Sequence, residues 1–245
     1  MGTAGLLLVV LLCTATKADD ESTALRERTT RLSAAIEKSP REVELYSQRG
    51  DTWFFQGRFA EAIADYEQMT QLDHSLDAQH WRRAIAHFYA GHYDKAAAQC
   101  EKYHAFDNVD RENGIWRYLC QRKAGGIEKA RLELIKYTKD DREPFGDIYR
   151  MFEGKMTGEE ILSKIRAANI TDEERNKRLF YAELYVGLND AVEGRNDAAI
   201  GHLEASSGNR WGATAGYGPH YMWQVGRRHL ELLRAEKTKS APPAP

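Results

Sequence analysis

The chain is 245 residues long, carries 35 Lys and Arg against 37 Asp and Glu for a formal charge of −2, and is 42% hydrophobic. That near-neutral balance lacks the clustered basic excess of a nucleic-acid footprint, and no apolar run approaches the ~20 residues that span a bilayer. The apolar content suffices for a core, and the length suits one elongated solenoid or a domain with a short extension.

At the N-terminus, residues 6–12 form one continuous apolar run, followed by Cys13-Thr-Ala-Thr-Lys-Ala18 and the acidic Asp19-Asp20-Glu21. A hydrophobic stretch with small residues three and one before a cut after Ala18 is the layout of a secretory signal. Residues 1–18 are therefore expected to be a leader, and the chain to be exported to a periplasm or cell envelope. Cys13 after Val10-Leu11-Leu12 also suggests a lipoprotein signal, in which that cysteine is lipidated and anchors the chain to a membrane. Leu12 stands where such signals carry Gly, Ala or Ser, so ordinary cleavage comes first and lipidation second. A short buried helix is the third reading.

Residues 19–42 read as an amphipathic N-terminal capping helix, with Leu25, Thr29, Leu32 and Ile36 on one side and a stop at Ser39-Pro40. From residue 43 three landmarks recur at a spacing of 34: Gly57, Gly91 and Gly125; Phe59, Tyr93 and Ile127; Ala62, Ala96 and Ala130. A period of that size marks a helix–turn–helix array, in which each pair is too small to bury its own apolar face and stacks on its neighbours. Gly50 and Ala84 fall where the two helices of a pair approach closely. The first unit, with Tyr46, Arg49, Gly50, Trp53, Gly57, Phe59, Ala62, Tyr66, Met69, Leu72 and Asp73, resembles a tetratricopeptide repeat. His74 stands where the usual proline would end the second helix. The second unit covers residues 77–110 and the third begins at Arg111 with Tyr118 at the close-packing position, so that residues 43–144 hold three repeats. The fold this resemblance implies is all-α, a right-handed α-solenoid of tetratricopeptide-type helical hairpins with capping helices.

In the repeat frame Cys100 lies on the second helix of unit two and Cys120 on the first helix of unit three, which are packed neighbours. Two readings stand open there: a disulfide, which an oxidising compartment would permit, and two small buried hydrophobes.

Residues 139–144 are a polar break. Residues 145–176 form an off-frame helical hairpin, one short helix over 145–152 and another over 158–168. Thr171-Asp-Glu-Glu174 then has the capping hydroxyl and the acidic third helical position of a helix start. Gly187, Gly194 and Ala199 repeat the seven-and-five spacing of Gly50, Gly57 and Ala62, which places a fourth repeat at residues 177–207. The Gly-rich stretch 208–220 matches neither phosphate-binding loop pattern. It reads as a flexible connector or as a partner-contacting loop carrying Trp211 and Tyr217. A closing helix is expected over 221–236 and a disordered tail over 237–245.

No chemistry stands out. His80 and His87 lie about two turns apart with His92 beyond them, a spacing that fits zinc poorly, and no nucleophile elbow is present. The sequon Asn169-Ile-Thr171 matters only in a eukaryotic secretory pathway. No metal, no cofactor and no enzymatic activity are expected. The tetratricopeptide resemblance implies instead a concave wall lined by Glu44, Ser47, Asp51, Phe54 and Phe55, then Ala78, Trp81, Ile85, Phe88 and Tyr89, then Glu112, Ile115, Leu119, Arg122 and Lys123. Aromatics with a few charges suit a groove that anchors a protein partner. The same stripe could be covered by this chain's own C-terminal helix or by a second copy.

Four stretches extend the resemblance: Asp77-Ala-Gln-His-Trp-Arg-Arg-Ala-Ile-Ala-His-Phe-Tyr-Ala-Gly91, Ile115-Trp-Arg-Tyr-Leu119, Met151-Phe-Glu-Gly-Lys155 and Phe180-Tyr-Ala-Glu-Leu-Tyr185. With the order of leader, cap, three repeats, off-frame hairpin, fourth repeat and closing helix, the chain resembles the bacterial new-lipoprotein-I family over residues 43–233. That resemblance implies a homodimeric envelope adaptor that binds periplasmic proteases and peptidoglycan hydrolases and promotes hydrolase turnover. The alternative of a different class is a structural or assembly repeat protein of an envelope complex, with no role in proteolysis.

Overall fold

A computed structural model describes the backbone of residues 4–240 and the side chains of residues 19–239; the expected leader, Cys13 and the end of the expected tail lie outside the described side chains. Every regular element among the described residues is a helix. None of these helices is long and apolar enough to cross a membrane. The chain divides into two compact units, Met1–Asp77 and Ala78–Pro245, at the border between the first two repeats.

The first unit holds α1 (Ala4–Lys38), α2 (Val43–Phe55), α3 (Phe59–Leu72) and a 3-10 turn, His74–Leu76. Helix α1 buries Thr29, Leu32 and Ile36 at the helical spacing read from the sequence. The Thr29 hydroxyl accepts from Gln56 Nε2 at 2.8 Å, tying α1 to the end of α2. Gly50 is the contact point of the α2–α3 hairpin, because a Cβ there would stand 2.6 Å from the Tyr66 ring. Beside it the Tyr66 hydroxyl donates to Asp51 Oδ1 at 2.7 Å, and the Arg49 guanidinium grips both oxygens of Asp65 at 2.9 and 2.7 Å. With no proline at position 74, α3 is stopped by the Asp73 carboxylate, which accepts from the Ser75 amide at 3.0 Å and draws the chain into the 3-10 turn.

The second unit contains α4 (Trp81–Tyr89), α5 (Tyr93–Phe106), α6 (Arg111–Leu132), α7 (Phe145–Phe152), α8 (Gly158–Ala167), α9 (Asp172–Val192), α10 (Asn196–Gly208), α11 (Arg210–Thr214) and α12 (Tyr217–Ser240). Its hairpins are α4 with α5 and α9 with α10; α6 packs on α5, and α12 packs on α10. Thr171 caps α9 by accepting from the Glu174 amide at 3.2 Å, as the sequence predicts. A full capping box opens α8, where Thr157 and Glu160 satisfy each other's amides.

Three expectations are corrected here. The turn of the third repeat falls on Gly126, at φ 87° and ψ 176°, and not on Gly125, which stays helical; the 34-residue frame therefore slips by one residue, and the second helix of that repeat ends early at Leu132. The stretch 208–220 is not a flexible connector: α11 and the first turn of α12 occupy it, and a Cβ at Gly212 would stand 2.4 Å from the Phe180 ring. The closing helix also runs on to Ser240, so residues 237–240 are not a disordered tail. Arg234 reaches Glu204 at 2.5 Å and Lys237 reaches Asp197 at 2.7 Å, which holds the last turns of α12 against α10.

Candidate functional site

The expected wall splits according to what covers it. In the first unit Glu44 is exposed and takes the Gln48 amide at 2.9 Å, Ser47 and Asp51 are buried, Phe54 is fully buried against the edge of Phe59, and Phe55 is half-buried. These are mostly core positions of the hairpin itself.

In the second unit the wall forms, and this chain occupies much of it. Trp81 meets Tyr221 of α12 edge-on at 5.0 Å, and the Tyr89 hydroxyl lies 3.0 Å from His229 Nδ1 of the same helix. Arg122 pairs with Glu193 at the C-terminal cap of α9 at 2.8 Å, and Glu112 takes a hydrogen bond from the Tyr185 hydroxyl. Ile85, Phe88, Ile115 and Leu119 are buried, the Ala78 carbonyl accepts from Gln99, and Lys123 alone points to solvent among these positions. Over residues 78–123 several of the expected groove positions are thus met by the chain's own helices, the second of the two readings of this stripe. Helix α12 buries its apolar stripe of Tyr221, Met222, Val225, Leu230 and Leu233 chiefly against α10 and α11, and reaches the wall through Tyr221 and His229.

The cover is incomplete. Between α4, α5 and α6 on one side and α9, α11 and the start of α12 on the other lies a cavity of about 390 Å³. Its walls are Trp81, Tyr103, Trp116, Tyr181 and Trp211, filled in by Ala84, Cys100, Pro219 and Met222, with Asp110, Glu112, Arg142 and Lys177 at the polar part of its lining. Of the expected wall positions, only Trp81 and Glu112 line it. The rings brace one another: Trp211 packs on Phe180 and Tyr181 at 5.7 and 5.8 Å, and Trp116 meets Phe88 at 5.4 Å.

Glu112 sits in the first turn of α6, behind the capping carboxylate of Asp110, which accepts from the Glu112 amide at 3.1 Å. One Glu112 oxygen takes the Tyr185 hydroxyl, and the other takes Arg142 Nη2 at 2.5 Å. Burial lifts the Glu112 carboxyl to about 7, the neighbouring Asp110 charge adds to the rise, and Arg142 opposes it. Burial raises Asp110 as well. Arg142 lies over the Phe145 ring at 4.1 Å and the Tyr181 ring at 5.6 Å, so the ion cluster and the aromatic wall support each other. The thiol at the same lining, Cys100, is pushed up to about 12 by burial and stays protonated at neutral pH. Cys100 and Cys120 are both buried and free, which settles the disulfide question against the bond. Among the described residues no three His, Cys, Asp or Glu side chains converge as a metal site.

Sequence reasoning passed over Tyr103, Asp110, Trp116, Arg142 and Tyr181 as site residues, because they are contributed by separate helices and one irregular segment. A usable signal was present in the tryptophans: of the 5 in the chain, Trp81, Trp116 and Trp211 line this one cavity. No family model matches the chain. Fold and cavity together define an all-α protein of helical hairpins whose second unit carries an aromatic-walled cavity.

Proposed function

We propose that this chain is a non-catalytic, exported scaffold of tetratricopeptide type that binds protein partners through its second unit. The observation that carries the reading is the cavity itself, a rigid aromatic well of side-chain dimensions on the face that the repeat resemblance assigns to partners. Both Glu112 oxygens are already engaged and the Cys100 thiol is held protonated, which favours recognition over proton transfer or nucleophilic attack at this place. The resemblance to the new-lipoprotein-I family supplies the proposed partners, a periplasmic protease and cell-wall hydrolases, and a proposed homodimer in the cell envelope. Holding a protease and its substrate on one scaffold raises their effective concentration without any new chemistry.

Affinity capture from an envelope extract of the parent cells tests this. The chain retains an identifiable protease or cell-wall hydrolase, and Trp211→Ala loses it. Retention of neither enzyme class leaves the adaptor role without support and favours a purely structural one.

A further inference from the structure

We infer that the cavity of the second unit binds an organic cation, an alkylated ammonium group seated among its aromatic rings and attracted by the carboxylates of its lining. The inference rests on the reading of this cavity as the binding site and adds the charge and chemistry of what enters it.

The rings come first. Trp81, Tyr103, Trp116, Tyr181 and Trp211 line the cavity, each from a different helix, and Trp81, Tyr103 and Trp211 keep accessible surface. A cation over an aromatic face is attracted by the ring quadrupole, most strongly by tryptophan and where water is excluded. One ring of the lining already carries a cation of the chain itself: Arg142 lies 5.6 Å from the Tyr181 centroid, and 4.1 Å from that of Phe145 beside it.

Charge then decides the sign of the ligand. Three carboxylates share Arg142, which meets Glu112 at 2.5 Å, Asp110 at 3.6 Å and Asp141 at 3.2 Å. Lys177, the other cation of the lining, meets Glu174 at 3.2 Å; Glu174 also takes Arg178 at 2.8 Å, and Arg178 meets Glu143 at 3.5 Å, so that group balances two against two. Backbone amides offset part of the remaining excess, Glu112 donating to Asp110 at 3.1 Å and Arg111 to Asp141 at 3.0 Å. Burial raises both carboxyls of the lining, with Asp141 adding to the rise at Asp110 and Asp110 to the rise at Glu112. A positive charge entering here is favoured, and an anion is opposed by the same groups.

The kind of cation follows from the acceptors. Both Glu112 oxygens are engaged, by Tyr185 and Arg142, and Asp110 Oδ1 holds the Glu112 amide. An ammonium that carries N–H groups would leave water for a lining of rings with Ala84, Cys100, Pro219 and Met222, where few acceptors are open to it. A fully alkylated ammonium has no N–H donors to satisfy and presents methyl groups to the rings. An apolar cavity of ~150 Å³ admits a benzene ring, so 390 Å³ has room for a trimethylammonium head with a short chain.

Proton NMR titrations of the full chain at about pH 8, where Glu112 is ionised, test this. Choline is compared with 3,3-dimethyl-1-butanol, the neutral molecule of the same shape, with 3,3-dimethylbutanoate, an anion of similar shape, and with ethanolamine, whose ammonium keeps its N–H groups. Choline binds at least about tenfold more tightly than the neutral alcohol, its methyl signal moves upfield as it enters the rings, and the anion and ethanolamine bind more weakly than choline. Glu112→Gln removes one negative charge and keeps a hydrogen-bonding group; it weakens choline several-fold and leaves the alcohol as it was. Choline that binds no more tightly than the alcohol or ethanolamine, or that does not bind at millimolar concentration, overturns the inference on the wild-type chain. Unchanged choline binding by a folded Glu112→Gln chain overturns it as well. Where choline binds, its effect on a captured protein separates the sources of the group: displacement places the ammonium on the partner, and retention places it on a free solute. Protein capture without preferential choline binding removes this inference alone, and choline binding with no protein captured removes the adaptor role alone.

Discussion

Tyr89 of α4 and His229 of α12 meet at 3.0 Å although 140 residues separate them in the chain. Their rings also pack edge to face at 5.6 Å. Burial lowers His229 to about 4, with Lys123 adding to the effect, and burial holds the Tyr89 phenol protonated, so the hydroxyl can donate to a neutral imidazole. This contact fastens the closing helix to the wall it covers.

A pH dependence follows from it. Between about 4 and the ordinary histidine value of 6.5 the unfolded chain binds a proton at His229 that the folded chain does not, so stability falls as the pH drops through that window. His229→Gln keeps a polar group in place and removes the titration. Measured by denaturant unfolding between pH 7 and pH 4, the wild type should lose roughly 3 kcal/mol more than this variant. Parallel curves for the two proteins would show that His229 does not titrate in this environment.

Glu112 works in the opposite sense. It is faced by Asp110 at the cap of its own helix, by Arg142 from the segment before α7, and by Tyr181 and Tyr185 of α9. Its folded value of about 7 lies above the ordinary 4.5, so the folded state holds the extra proton and stability declines as the pH rises through that interval. Relative to Glu112→Gln, the wild type should become progressively less stable from pH 4.5 to pH 8, by an amount on the order of 2 kcal/mol. A difference between the two proteins that is independent of pH would refute the raised carboxyl.

The one-residue slip in the third repeat is open to a paired substitution. Gly126 holds a φ of 87° with ψ near 176°, a region that a residue with a Cβ adopts only under strain, and Gly126→Ala should lower stability by about 1–3 kcal/mol. Gly125 is helical, and a Cβ there meets only the movable end of Lys129, so Gly125→Ala should stay within about 0.5 kcal/mol of wild type. Thermal melts of the two variants decide it. The reverse order would return the turn to the regular 34-residue frame.

The two buried thiols give a chemical test. In the chain from Asp19 onward, Cys100 and Cys120 should resist an aromatic disulfide reagent at pH 8 while the protein is folded, since burial raises both thiols. Unfolding without reductant should release two reactive thiols; a count of zero would mean that they are joined.

Much of the local architecture was legible in the residues. The cap at Thr171, the glycine turns at Gly57 and Gly91, the close approach at Gly50 and the off-frame hairpin each depend on backbone preferences or on contacts within one hairpin, and such signals lie within a few turns of chain. The alternation of helix and turn, and hence the all-α class, is determined at that range. The site was legible only in part: Trp81 and Glu112 were marked as inner-wall residues, but not the neighbours that make them a pocket.

What the tertiary structure alone decided is which apolar faces meet. Tyr221 and His229 settle on Trp81 and Tyr89, Arg142 reaches back to Glu112, and Trp211 closes a cavity begun by Trp116. Hydrophobic burial is non-directional, so a stripe such as that of α12 names its need for cover without naming the surface that provides it. Only the folded chain, with each helix length and turn in place, selects that surface and leaves the cavity between them.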